Sequence, residues 1–398
     1  MHDHQALILT ALLILLFGLF SKVSERSPVT APMVFAGLGV LFSPLGLDLF
    51  AVQINTESIK VIAEITLIII LFVDGSLIQF TDLRKVLAGM PTRLLLVGLP
   101  LTMVLGTVSA YLLFPGWSIW MMMLLAFILS PTDAALGQAV VKSQQVPERI
   151  RESISIESGL NDGIALPPIF VCIAVLASGE AALSGDGQWL RYMAMQLTVG
   201  PLIGGLVGFI GGRMVDYAAE HDWMDSVFQR LASLSLALLA FSFAEMLHGN
   251  GFIAAFFAGL MLGVKTPVVR ERIQEFGEAE GQLLSLSIFL IMGLAGVPYF
   301  SQYWDLNTFI YAVLSLTVIR MLPVALCLIG SGLDAYSKIF IGWFGPRGIA
   351  SLLYLLIVIG ELGVVGYEKV LSVIILTVLI STFAHGFSAL YMSDRFKK

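Results

Sequence analysis

Charge is scarce in this chain. Of 398 residues only 13% are Asp, Glu, Lys or Arg, against roughly 25% in soluble domains. With 58% hydrophobic residues and a mean hydropathy of +0.91, a soluble enzyme is excluded. The net charge of −6 identifies no partner, because in a membrane protein the placement of charge matters more than its sum. There is no basic patch with interleaved aromatics, so no nucleic-acid partner is expected. Both cysteines, Cys172 and Cys327, sit inside apolar runs and read as small core residues, neither a disulfide nor a metal site. The five histidines are His2, His4, His221, His248 and His385. All but His385 lie near span ends or in loops; they form no cluster, and none is assigned to a site. The leading residues Met1 to Gln5 carry no Lys or Arg, and Lys22 and Arg26 follow the first apolar run. That order is the reverse of a cleavable signal and suits a retained first helix with its N-terminus outside.

What is present is a succession of apolar runs. A spanning helix needs about 20 mainly apolar residues. By that rule the chain is an all-α integral membrane protein with thirteen transmembrane helices. They begin near Ala6, Pro28, Glu57, Pro91, Trp117, Glu148, Leu190, Trp223, Gly251, Gly277, Leu306, Tyr336 and Tyr367. The ninth is short and also reads as continuous with the eighth across His248 to Gly251, which gives a count of twelve. Of the 22 Lys and Arg, Lys60, Arg191 and Lys369 fall on one side and Arg320 and Arg347 within spans. The other 17 fall on the opposite side. The positive-inside bias therefore puts the N-terminus outside and the C-terminus in the cytoplasm.

Three polar runs interrupt the hydrophobic sequence: Ser130-Pro131-Thr132-Asp133-Ala134, Glu157-Ser158-Gly159-Leu160-Asn161-Asp162-Gly163, and Gly345-Pro346-Arg347-Gly348. An ionisable group in a bilayer helix costs about 2.5–3.5 kcal/mol on insertion scales, so it defaults to being functional. Pro131 and Pro346 sit mid-span at an offset of 215 residues. Ile70 to Gly75 and Ile288 to Gly293 match at a similar offset. The pattern predicts two inverted six-helix repeats, about 6–178 and 223–392, joined by a linker helix at about 190–213. Broken helices five and twelve cross at the midplane, the arrangement that points to a transporter site. At the first break Ser130 suits an N-cap, Pro131 the first helical position, and Asp133 the first turn, where the dipole favours an anion. At the second break Arg347 suits the carbonyl end of a half-helix.

The sixth span holds the densest cluster. Glu157 and Asn161 are four apart, as are Ser158 and Asp162, so all four project from one helix face. Two carboxylates, a hydroxyl and an amide carbonyl are hard oxygen donors, suited to a small hard cation or a proton and ill suited to zinc, copper or iron. Ser158 and Asn161 alone would read as glue between helices; the two acids do not. Asp74, Glu64, Glu245 and Arg320 read either as pathway residues or as internal pairs.

These motifs, with Leu71-Phe72-Val73-Asp74-Gly75 and Gly249-Asn250-Gly251-Phe252-Ile253-Ala254 in support, resemble the NhaP-type sodium/proton exchangers of the cation:proton antiporter 1 family. The resemblance covers nearly the whole chain. It implies a mobile six-helix core bundle and a homodimer built on the other helices. Asp162 matches the ion- and proton-binding aspartate, and Asn161 its partner in the electroneutral branch. Ser158 and the Thr132 main-chain carbonyl match the neutral ligands of a Na+ ion held by Asp162, and Asp133 is the acid of the broken fifth helix. Glu157 and Arg347 match a buried ion pair joining helices six and twelve. One departure is expected: the chain stops soon after its last span, without the cytosolic regulatory domain of many relatives.

The expected function is electroneutral exchange of Na+, or alternatively Li+ or K+, for H+ by alternating access in a prokaryotic inner membrane, with no cofactor and no enzymatic activity. Two rivals remain. An intramembrane protease would use Asp74-Gly75 with Asp162-Gly163, but lacks the glycine-rich surroundings and leaves Arg347 unexplained. A channel would want a ring of like groups from several subunits, whereas one chain here supplies an asymmetric cluster.

Overall fold

Apolar runs longer than 18 residues and short polar loops dictate the secondary structure, since in lipid every backbone group must be satisfied within its own segment. The computed structural model describes residues 2–24, 27–50, 57–77, 89–133, 136–141, 143–179 and 188–397. Among them every regular element is helical. In chain order those of nine residues or more are α1 (His2–Ser24), α2 (Ala31–Phe42), α3 (Glu57–Leu77), α4 (Met90–Leu113), α5 (Ile119–Ile128), α6 (Glu148–Ser178) and α7 (Gln188–Glu220). There follow α8 (Ser226–Met246), α9 (Gly251–Leu260), α10 (Pro267–Tyr303), α11 (Leu306–Cys327), α12 (Ala335–Trp343), α13 (Ile349–Leu362) and α14 (Glu368–Ser393). Among the described residues seven of them, α4, α6, α7, α8, α10, α11 and α14, are long and apolar enough to cross a membrane. Ala134 of the first motif and the cations Arg26, Arg84, Lys85, Lys142 and Lys398 of the orientation count lie outside the described residues.

The expected span starts fall within a few residues of helix starts, with one exception. The tenth span was placed at Gly277, but α10 begins at Pro267. Hydropathy registers only the apolar part of this helix; its first turns carry Arg270, Glu271, Arg272, Gln274 and Glu275, polar good helix formers, behind a proline suited to the N-terminus. The ninth element is separate from the eighth. Asn250 accepts a hydrogen bond from the Ile253 amide at 2.9 Å, and Glu245 accepts one from the Gly251 amide at 2.8 Å, so both polar side chains cap α9. In α4 and α10 a wider π turn, Leu94–Gly98 and Met292–Gly296, stands immediately before Leu99-Pro100 and Val297-Pro298. A mid-helix proline lacks a donor and crowds the preceding turn, and widening the turn accommodates it.

Contacts divide the chain into two compact units. The first holds residues 1–60, 89–158 and 285–398. In it α4 packs on α5 and α11, and α11 on α12 and α14, around a core that includes Leu94, Ile154, Val324, Phe340 and Phe344. At one end of this unit Asp305 caps α11 through the Thr308 amide and pairs with Lys369 at 2.8 Å. Partial burial works against its charge, but Lys369 and the Thr308 donors outweigh it and hold the carboxyl at about 2. The second unit holds residues 61–88 and 159–284, with α7, α8 and α9 mutually packed.

The second unit shows how backbones approach without a hydrophobic drive between helices. Gly204 and Gly208, one turn apart on α7, face the carbonyls of Ala254 and Ala258 so closely that a Cβ would overlap them. Such small residues let van der Waals packing hold membrane helices together. Gly205, next in sequence, would meet only Met261 Cγ, at an ordinary contact distance of 3.6 Å. Gly204→Ala is therefore expected to lower thermal stability in detergent by the equivalent of about 1–3 kcal/mol, the usual cost of overpacking, while Gly205→Ala leaves it nearly unchanged. Equal melting temperatures for the two variants would contradict this packing.

Candidate functional site

Both motif prolines lie in breaks of helix. α5 ends at Ile128 and residues 130–133 are non-helical; α12 ends at Trp343, and α13 starts at Ile349. Breaking a helix orphans carbonyls on one side and amides on the other, and in this unit each set is met by a side chain from the other break. Arg347 Nη1 donates to the carbonyls of Ser130 at 2.6 Å and Pro131 at 3.0 Å, and Ser351 Oγ donates to Ile128 O at 2.8 Å. In return Asp133 Oδ2 accepts the Ile349 amide at 2.7 Å, and the Asp133 amide donates to Pro346 O at 2.9 Å. The cation meets the negative pole of α5 and the anion the positive pole of α13, each worth up to about 2 kcal/mol in a partly buried setting.

Glycines make this crossing possible. A Cβ on Gly348 would fall on Asp133 Oδ2, and one on Gly345 would fall on Arg320 Nε. The expectation for Ser130 needs correction. Its hydroxyl donates back to Ala126 O at 2.6 Å and closes α5, whereas Asp133 Oδ1 accepts the Leu136 amide and caps the turn that follows. Pro131 accordingly lies in the non-helical stretch and not at a first helical position. The longer carboxylate reaches forward to amides, while a serine hydroxyl at a helix end bonds more readily to the carbonyl four residues back.

The expected Glu157–Arg347 ion pair is also corrected. Glu157 is held by Arg320 of α11 in a two-pronged pair, Nη1 to Oε1 at 2.6 Å and Nη2 to Oε2 at 2.8 Å, both residues 1% exposed. Arg347 is fully buried, but its bonds go to the backbone of the α5 break and not to a carboxylate. The reason is local: the orphaned carbonyls take its Nη1, and α11 turns its own guanidinium toward α6. α11 is interrupted at Thr317, whose backbone (φ −114°, ψ −95°) is not helical. A planar fork against both carboxylate oxygens is the strong geometry for such a pair.

Ser158 Oγ donates to Thr132 O at 2.6 Å, so two of the expected neutral ligands are in direct contact. Asn161 and Asp162 continue along α6 into the second unit and are likewise buried, 1% and 5% exposed. Sequence reading left Arg320 open between pathway residue and internal pair, and the structure makes it an internal pair; it assigned His385 to no site and passed over Ser351 and Ser381. Ser381 Oγ accepts the Arg347 amide at 2.7 Å. The available signal was the spacing of Ser381 and His385, one turn apart in a last span whose only imidazole is His385.

Removing one partner of a buried pair strands the other charge, at about 3–5 kcal/mol. Arg320→Ala should therefore lower the melting temperature in detergent sharply, and Glu157→Gln combined with Arg320→Gln should lower it less, because no lone charge remains. An unaltered melting temperature for Arg320→Ala would show that the pair does not support the fold.

Comparison with known proteins agrees with this architecture. A family described as "Sodium/hydrogen exchanger, transmembrane" matches residues 8–391. The chain is 29% identical over 360 residues to the K(+)/H(+) antiporter NhaP of Alkalimonas amylolytica, covering 88% of this chain and 60% of that protein. It is 24% identical over 385 residues to the K(+)/H(+) antiporter NhaP2 of Shewanella sp. (strain ANA-3), covering 96% of this chain and 65% of that one. The chain thus spans 60% to 65% of the length of these curated relatives. Its fold is similar to that of the sodium proton antiporter MjNhaP1 from Methanocaldococcus jannaschii, with a TM-score of 0.78 at 18% identity over 97% of this chain and 100% of that one. With the family match running from α1 into α14, the chain belongs to the transmembrane sodium/hydrogen exchanger family.

Proposed function

We propose that this chain exchanges a monovalent cation for a proton by alternating access across a prokaryotic inner membrane. The observation that carries the reading is the pair of broken helices whose ends are met by Asp133 and Arg347. Broken helices with charged ends are the transporter device for handling an ion in the bilayer. Membership of an exchanger family supports it and leaves the protease alternative without a footing. The reading includes thirteen spanning helices in two inverted repeats, about 6–178 and 223–392, with a linker helix at about 190–213. Helices five and twelve cross at the midplane, the N-terminus is outside, the C-terminus is cytoplasmic, and the protein is a homodimer. The positions of the helix starts and the asymmetry of Lys and Arg support that arrangement.

In this reading Asp162 takes a proton and a cation in turn. Ser158, one turn back on α6, and the Thr132 carbonyl supply neutral oxygens, with Asn161 and Asp133 in support. Glu157 is neutralised by Arg320, and Arg347 and Asp133 are engaged by helix ends. None of those four needs to change charge during a cycle. Asp162 is then neutral whether protonated or cation-bound, and one cation exchanged for one proton moves no net charge. Sodium is the primary substrate reading. Potassium is the second, favoured by the relatives named K(+)/H(+) antiporters.

Asp162→Asn should abolish cation-dependent proton flux in proteoliposomes while leaving the melting temperature close to that of the parent. Asparagine keeps the shape but can neither carry the proton nor supply the charge. Substantial flux by a folded variant would remove Asp162 from this role. Because proton and cation compete for one carboxylate, the apparent cation affinity should fall about tenfold per pH unit well below the site's pKa. An affinity independent of pH over that range would contradict a shared site.

A further inference from the structure

The α12–α13 break is held from a third side by a histidine that the exchange cycle above does not use. His385 of α14 is 1% exposed and lies against the rings of Trp343 and Phe344. Its Nε2 is 2.9 Å from Trp343 O, the last residue of α12. Its Nδ1 is 3.1 Å from Ser381 Oγ and 2.9 Å from Ser381 O. Ser381 Oγ in turn accepts the Arg347 amide at 2.7 Å. One imidazole therefore bridges the two sides of the break, directly to the carbonyl end of α12 and through Ser381 to the backbone of Arg347.

The partner of Nε2 dictates one proton position, while Nδ1 has both a hydroxyl and a carbonyl within reach. A carbonyl cannot donate, so Nε2 carries a proton for Trp343 O. In the neutral ring Nδ1 then accepts from the Ser381 hydroxyl, whose oxygen already takes the Arg347 amide, and the chain Arg347 N–H to Ser381 Oγ–H to Nδ1 is complete. That neutral ring leaves the Nδ1 lone pair facing Ser381 O. A second proton on Nδ1 reverses the bond: both nitrogens donate to carbonyls, one on α12 and one on α14, and the Ser381 hydroxyl loses its acceptor. The charged groups facing the ring are Arg347 of the break and Arg320 of α11, the latter matched by Glu157 of α6. With Asp133 at the amide end of α13, these four fixed charges sum to zero. The second proton adds an uncompensated positive charge to that set and bonds α12 more firmly to α14.

Resting on the exchange reading above, we propose that His385 is a positioning residue whose neutral, Nε2-protonated form holds the α12–α13 break in its working state. A second proton on this ring arrests turnover. It acts through the backbone of Arg347 and Trp343 and does not touch the transported ion.

The test separates this from competition at Asp162. Competition alters the apparent KM for cation and leaves Vmax unchanged, whereas arrest at His385 lowers Vmax at saturating cation. In proteoliposomes of the full chain, Vmax for the parent should show an acid limb falling about tenfold per pH unit below its midpoint, as for titration of one group. His385→Gln, which keeps one donor and one acceptor but cannot take the second proton, should lose that limb in Vmax and keep the pH dependence of KM. Ser381→Ala removes the donor that favours the neutral ring, and its limb should move to higher pH. Opposite outcomes for the two variants are not expected of a merely structural contact, and Ser381→Ala decides the matter if His385→Gln fails to fold. A parent Vmax independent of pH, an acid limb retained in His385→Gln, or a limb unmoved in Ser381→Ala overturns the proposal while leaving exchange intact. No cation-dependent proton flux at any pH overturns the exchange reading itself.

Discussion

The first unit depends on how two broken helices in an apolar medium satisfy their ends. An orphaned carbonyl or amide in hydrocarbon costs several kcal/mol, and an isolated buried charge costs at least as much. Here the two liabilities offset each other. Arg347 lies on the carbonyls that end α5, and Asp133 lies on the amide that begins α13. Gly345 and Gly348 admit the contact, and Ser351 and Ser381 take up the remaining backbone groups at either side. Deleting either charge would leave both a naked helix end and an altered charge balance, so the breaks and their charges have to occur together.

That constraint separates charges that stay fixed from a charge that changes. A guanidinium on carbonyl dipoles, a carboxylate on amides and a two-pronged Arg320–Glu157 pair each place a charge against a partner of opposite sign. Asp162 lies one turn further along α6 than Ser158, and the reading gives it the one charge that alternates. A cycle that moves no net charge runs independently of the membrane potential, because it is uncompensated charge carried across the bilayer that couples the two.

Much of this was legible in the chain. Helix starts followed from apolar run length, the breaks from Pro131 and Pro346, and the affinity of Arg347 for a carbonyl end from the sign of the helix dipole. What was not legible depends on tertiary geometry. Arg320 stands 163 residues from Glu157, and nothing in spacing says that α11 turns at Thr317 to present it to α6. The assignment of the cap to Ser130 failed because a hydroxyl near a helix end has two options, forward to an amide or back to a carbonyl, and the choice was made by the closing turn of α5. The first ten residues of α10 escaped notice because a stretch carrying Arg270, Glu271, Arg272, Gln274 and Glu275 gives no hydropathy signal.

The claim that the fixed charges are all internally matched is tested most directly by electrical means. With the protein in liposomes and sodium as the exchanged cation, a potassium–valinomycin gradient imposes a membrane potential while proton flux is followed with a trapped dye. Fixed charges that cancel, with one carboxylate neutral in both its loaded forms, predict a steady-state exchange rate that does not respond to the potential. A rate that changes severalfold with its size or sign would show that net charge moves in each cycle, and would contradict the account.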